Sequence, residues 1–532
     1  MGNPLKVPAR KRLLAMASLA LALAGTLLLP GAGSAAGGSE WPSAGGNRQN
    51  TRDQESEHTL STANVSGLQV KWKVTTASDV SATPAVDADT VYVPDWAGNL
   101  YAVDRATGAV KWTASIPLAS GAFLDKARVT PAVTDDLVIV GTQGGVLFGG
   151  GPGAKVLAFN KFTGALVWST RVDSHFAAIV TQSPTVFDGR VYVGVSSQEE
   201  ALAAFVPGYV LSFRGSMLAL DLTSGAILWK TYLTPVGYPG NAVWGSSPAI
   251  DTKRGQVYIA TGNNYTAPQS ALDCIAAAAT PAAQRACLPA DDYFDSVLAL
   301  DMKTGAIKWA TQALPFDTWN VDCIPFIGDG SACPEPAGPD FDFGQAPALF
   351  TTKDGKGKSI ESVGAGQKSG QYWALDPATG AKKWVTQAGP GGTAGGLQWG
   401  SAVDESRVYT ANANSNAISW TLPGGGTTTN GVWSGINAAT GQLLWQHTPS
   451  QGGGTSGPVT TANGVVYGCS LDPLGYMYAL NGATGAELWS FASGGSCLSG
   501  AAISDGTLYW GSGYSNFGFG TPNNKLYAFS LP

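Results

Sequence analysis

The chain has 532 residues, with 31 Lys and Arg against 37 Asp and Glu, and a formal net charge of −6. That balance argues against a nucleic-acid partner. The length exceeds one ordinary compact core, unless the chain is a repeat array whose units bury their faces against one another.

Residues 1–36 read as a signal peptide. Lys6, Arg10, Lys11 and Arg12 precede an apolar run from Leu13 to Leu29, and small residues follow Pro30. An uncleaved anchor helix is the alternative; the small residues favour cleavage, and no Cys near the run offers a lipid anchor. Cleavage would take the charge to about −10 and leave no membrane anchor.

Residues 37–532 carry one repeating unit, which predicts an all-β, eight-bladed propeller. A phrase ending in Thr-Gly and then Trp runs from YAVDRATGAVKW, ending at Trp112, through Trp168, Trp229, Trp309, Trp384 and Trp445 to YALNGATGAELW at Trp489. A second phrase, opened by a small residue or Pro, leads into a β-rich strand at Thr83, Thr130, Ser183, Ser247, Ser401 and Gly457, with looser copies near Ala346 and Gly500. The first phrase supplies a tight turn, and its Trp is large enough to fill the space between blades. There are eight copies of the second phrase but only seven complete first phrases. The strand LQVKWKV around Trp72 is therefore expected to close the ring by completing the last blade. Long stretches at 196–216, 261–296 and 313–344 break the even spacing and mark a binding face or a cap.

The six cysteines, in an exported chain, predict up to three disulfides, with Cys274–Cys287 and Cys323–Cys333 as natural local pairs and Cys469 and Cys497 left over. No Cys-x-x-Cys-His is present, so the chain carries no c-type haem of its own. His58, His175 and His447 show no metal spacing.

The Ala-x-Asp-x-x-Thr-Gly-x-x-x-Trp unit resembles that of the quinoprotein alcohol dehydrogenases, propellers that bind pyrroloquinoline quinone with calcium, and among them polyvinyl-alcohol dehydrogenase-like proteins. The resemblance spans nearly all of the chain after residue 36. It implies quinone contacts at Arg128, Thr181, Ser196, Trp244 as the stacking ring, Lys368 and Trp399, with calcium ligands at Glu199 and Asn263. These residue types suit such ligands, since calcium takes hard oxygens, and a planar anionic quinone takes an aromatic face and cationic clamps. The sequence departs from the family at the base. Where methanol-type enzymes read Asp-x-Trp-Asp, this chain reads PFDTWNVDC, so Asn320 stands at the base position and Asp317, or next to it in preference Asp322, would replace it.

The resemblance thus implies an exported enzyme, periplasmic or secreted, that oxidises a primary or secondary alcohol, including one on a polymer, and passes electrons to an external acceptor such as a c-type cytochrome. The alternatives are a non-catalytic propeller scaffold, or a polymer-binding protein, of the cell envelope.

Overall fold

The structure, a computed structural model, describes residues 39–144 and 154–532; the expected signal peptide lies outside the described residues. These residues form eight antiparallel blades, each of four strands in meander order. Blades 1 to 7 span 85–115, 132–171, 178–232, 249–312, 348–387, 402–447 and 460–492. In blade 3 the innermost strand is split into Ala178–Ile179 and Thr185–Phe187. Blade 8 takes three strands from 502–530, and its outermost strand is Gln69–Thr75, which pairs antiparallel with Lys525–Ser530. The expected closure by the N-terminal strand is what the register shows.

The repeat is a lock between blades. Each Asp or Asn of the turn caps the following N–H groups, as Asp221 does for Thr223 and Ser224, and the turn glycine takes the left-handed conformation, with φ of 70° at Gly225. That glycine also lies under the Trp of the preceding blade: a Cβ on Gly305 would sit 2.7 Å or less from the ring of Trp229 and the side chain of Thr231. The indole N–H completes the link. Trp229 donates to the carbonyl of Met302 at 3.1 Å, Trp112 to Lys161, Trp168 to Leu222, Trp309 to Pro377, Trp384 to Ala438 and Trp445 to Gly482. Trp489 reaches Leu68, and Trp72 reaches Arg105, so the chain of indoles runs around the whole ring.

The innermost strands would expose a ring of unpaired N–H groups. The segment before the closing strand satisfies many of them by crossing that edge. The N–H groups of Val133, Ile250, Leu349, Val403 and Thr461 donate to the carbonyls of Pro42, Arg48, Gln49, Thr51 and Arg52. The segment thereby covers the end of the axial channel where the first and second strands of each blade connect. The other end, framed by the second-to-third and interblade connections, stays open and holds the long insertions.

At the covered end a cavity of about 720 Å³ gathers Asp53, Glu55, Asp404 and Glu405. Burial, and then the charges of Asp404, Glu55 and Glu405, push the Asp53 carboxyl up to about 8. Between the ordinary aspartate range and that value the folded state holds a proton that the unfolded chain has lost. Stability therefore falls as pH rises through this window. Asp53→Asn is expected to raise the unfolding free energy by about 1–2 kcal/mol at pH 8.5 and to change little near pH 4, as read by urea titration.

Candidate functional site

The candidate site lies at the open end of the axis, in a cavity of about 360 Å³, a size in the range of small-molecule sites. Its wall brings together Arg128, Thr181, Ser196, Trp244, Asn263, Lys368 and Trp399, from connections in blades 1 to 6. Ser196 sits at a strand end and Thr181, Asn263 and Lys368 just beyond one, whereas Arg128, Trp244 and Trp399 precede the first strand of the next blade. Such a position fixes the backbone and frees the side chain to face the axis.

Aromatic and cationic groups set the shape. Trp244 and Trp399 meet edge to face, with ring centroids 5.3 Å apart. The Trp244 indole N–H donates to Asp342 Oδ2 at 3.0 Å, which fixes the plane of its ring. Arg128 lies 4.3 Å over the ring of Trp399 and near Trp96 and Tyr514. Lys368 is 7% exposed, with Nζ 2.7 Å from Asp340 Oδ1, 3.2 Å from Asp342 Oδ2 and 5.4 Å from the Trp244 ring. Asn263 donates both amide hydrogens to the carbonyls of Asn264 and Trp319, which leaves its oxygen for the cavity it lines.

Glu199 is not on this wall; its neighbour Glu200 is. Glu199 opens the helix Glu199–Phe205 and is fully buried. Its carboxylate accepts from the N–H groups of Ser212 and Phe213 at 2.7 and 2.6 Å and from Tyr209, and lies 3.1 Å from His175 Nε2. Burial pushes its pKa up, but the bonds from His175, Phe213 and Ser212 outweigh burial and hold it below the ordinary glutamate range. It is a clasp for the insertion that follows it. Glu200, the next residue along the helix, has Oε1 enclosed and without a hydrogen-bond partner. Burial first, opposed by Lys368 and reinforced by Asp342 and Asp317, pushes it up to about 8.

Asp317 and Asp322 are buried and are also absent from the wall. Asp317 accepts from the N–H groups of Asp340 and Phe341 at 3.0 and 2.7 Å, and burial raises it to about 6. Asp322 accepts from the N–H groups of Gly330 and Ala332. Asn320 spends its amide on the carbonyls of Tyr265 and Ala332 and accepts from the N–H of Asp322. All three brace the connection rather than face the axis. The carboxylates that line the cavity are Glu200, Asp340 and Asp342. Asp340 is held at a φ of 58° by the two bonds its turn makes to Asp317, and burial keeps its pKa well above the ordinary range against the pull of Lys368. Sequence reasoning passed over Glu200, Asp340 and Asp342. The available signals were the doubled Glu at 199–200 and the Asp-x-Asp of GPDFDFG just before a strand.

An apolar vestibule of about 710 Å³ adjoins the site and shares Arg128, Thr181 and Glu200 with it. Its walls include Ile179, Phe205, Val321, Ile324, Ile327 and Phe519. Ile324 and Ile327 belong to the loop clamped by Cys323–Cys333; Cys274–Cys287 and Cys469–Cys497 are also bonded. Among the described residues no helix is long and apolar enough to cross a membrane.

The family model described as outer membrane protein assembly factor BamB matches residues 34–148, 119–267 and 368–531. Polyvinylalcohol dehydrogenase of Sphingopyxis sp. (strain 113P3) is 30% identical, over 89% of this chain and 73% of its own. Quinoprotein alcohol dehydrogenase PedH of Pseudomonas putida is 24% identical, over 82% of this chain and 80% of its own. Among solved structures, quinohemoprotein alcohol dehydrogenase from Comamonas testosteroni has the same fold, with a TM-score of 0.67 at 19% identity, covering 93% of this chain and 80% of that one. With similarity of this extent along most of its length, the chain belongs to the quinoprotein alcohol dehydrogenase family.

Proposed function

We propose that the protein oxidises a primary or secondary alcohol, including hydroxyls carried on a polymer, with pyrroloquinoline quinone and calcium. Electrons pass to an external acceptor such as a c-type cytochrome, in the periplasm or outside the cell. One observation carries the reading: Glu200 Oε1, enclosed and unpartnered, shares one cavity with Asn263, Trp244, Lys368 and Arg128. An orphaned buried carboxylate oxygen beside a free amide oxygen suits a hard cation. Two protein oxygens do not complete a calcium sphere, so the bound quinone and water would supply the rest.

When bound, the quinone supplies the hydride-accepting carbonyl and the cation its Lewis acid. The side chains of this protein do the remaining work. Trp244, its plane fixed by Asp342, offers a ring face for stacking, and Lys368 and Arg128 offer positive charge to an anionic group. Asp340 has Oδ1 held by Lys368, which leaves Oδ2 to take the proton of the alcohol oxygen. The vestibule offers apolar surface to the rest of the alcohol.

The test is reconstitution. Purified protein with quinone and calcium is expected to reduce a dye acceptor with one or more of a panel of alcohols, and calcium is expected to tighten quinone binding. Failure of both would leave the scaffold reading. The vestibule adds a second expectation. Each buried methylene contributes about 0.8 kcal/mol, so kcat/KM should rise roughly fourfold per carbon from ethanol to hexanol. Phe205→Ser and Ile327→Ser should flatten that slope. A flat slope in the unaltered protein would remove the vestibule from substrate recognition.

A further inference from the structure

Beneath the candidate site, toward the covered end of the axis, lies a small cavity of about 40 Å³. It holds two guanidinium groups and several hydroxyls, and no carboxylate. Arg52 rises into it from the segment that covers the axis, and Arg128 and Thr181 belong to both cavities.

Arg52 is 1% exposed. Its guanidinium donates to the carbonyls of Val459 and Ala44 and to the hydroxyls of Thr83 and Thr460. None of these carries charge. Among the described residues no Asp or Glu pairs with Arg52 or with Arg128. Burial alone pulls the Arg52 guanidinium down to about 9, with no opposing charge to restore it. A buried cation without a counter-charge is costly.

The hydroxyls around it point to the same conclusion. Ser81 Oγ accepts from the Trp96 indole, Ser183 Oγ from the N–H of Thr130, and Thr83 Oγ1 from Arg52 and the N–H of Gly500. Each of these oxygens is used as an acceptor and none is seen donating, so their hydrogens remain for a ligand that accepts. Two cations, three such hydroxyls and room for about one small ion describe an anion site.

We propose that Arg52 and Arg128, with Ser81, Thr83 and Ser183, bind a small monovalent anion, a halide or a carboxylate group, at the floor of the axial cavity. The ion would balance the buried charge of Arg52 and tie the N-terminal segment to blades 1, 2 and 3. The site shares Arg128 and Thr181 with the cavity of the proposed function, and its first test needs neither quinone nor calcium.

The probe is sodium bromide or sodium formate against sodium gluconate at equal ionic strength, added to the quinone-free protein. Either small anion at about ten times its Kd is expected to raise Tm by about 1.4 °C over gluconate, and bromide is expected to show broadening in its NMR line. Arg52→Lys should keep part of the response and Arg52→Met should lose it. If Arg52→Met does not fold, the measurements on the unaltered protein decide. Equal Tm in all three salts, with no bromide broadening, would overturn the site. Where quinone binds, a second arm identifies the source. If quinone abolishes the bromide response, the natural occupant is one of its carboxylates, and if the response persists the occupant is a free ion. A protein that binds no quinone but responds to bromide keeps this site and loses the proposed function.

Discussion

Glu200→Gln is expected to lower kcat/KM by about 10³-fold or more and to abolish the tightening of quinone binding by calcium, with the fold intact. The substitution keeps the shape of the side chain but removes the charge of the one carboxylate oxygen that faces the cavity without a partner. The enclosed oxygen carries no structural bond, so its loss should leave Tm unchanged or raise it, since the uncompensated burial that pushes this group up to about 8 is relieved. Glu199→Gln is the informative contrast. Glu199 is fully buried, accepts backbone bonds from Ser212 and Phe213, and contacts His175 and Tyr209. Its neutralisation should cost about 2–4 kcal/mol and loosen the 199–213 insertion, as read by urea titration and by proteolysis within it. Its folded pKa lies below the ordinary range, so its contribution is present above that range and is lost as pH falls through the folded value. Activity lost in Glu199→Gln with stability unchanged, beside a fully active Glu200→Gln, would reverse the two roles.

How far the fold could be read in advance follows from what the repeat does. The Asp or Asn, the Gly and the Trp of each unit have separate local duties: capping a turn, adopting a positive φ, and bolting one blade to the next. Local duties leave local marks, so blade number and closure were legible. The strand-end residues that line the candidate cavity, such as Asn263 and Lys368, were named through the family resemblance, because strand ends are held by the same ladder. Glu200 was not. The residues after Ser197 turn into a short helix, where neighbours point roughly 100° apart, and a motif that counts residues cannot say which of two adjacent glutamates faces inward. Asp340 and Asp342 were missed because the connection from 313 to 347 has no periodicity to reveal its path. Arg52 gave no signal either, since its role depends on a polar segment crossing the innermost strands, a contact between residues some 400 positions apart.

Asp340→Asn is expected to reduce kcat by about 10²–10⁴-fold, the usual worth of a positioned base, with a smaller effect on KM. Of the acidic residues near the PFDTWNVDC stretch, Asp317 and Asp322 are spent on backbone N–H groups, whereas Asp340 lines the cavity and is paired with Lys368 at 2.7 Å. Burial raises the Asp340 pKa and Lys368 opposes it. The base must be ionised to accept a proton, so kcat should climb with pH on the acidic side and that limb should disappear in Asp340→Asn. If Asp340 is the base, Asp317 would act through it: Asp317 holds the N–H groups of Asp340 and Phe341, and its charge contributes to raising Asp340. Asp317→Asn should therefore cost only about tenfold in kcat while moving the acidic limb to lower pH, a shift that a purely structural role would not produce. Asp322→Asn should instead loosen the loop that carries Ile324 and Ile327, raising KM for long alcohols and sparing the pH profile. If Asp340→Asn keeps its kcat and its acidic limb while Asp317→Asn loses both, the proton is taken by Asp317, and the turn at 340 must open during the reaction to expose it.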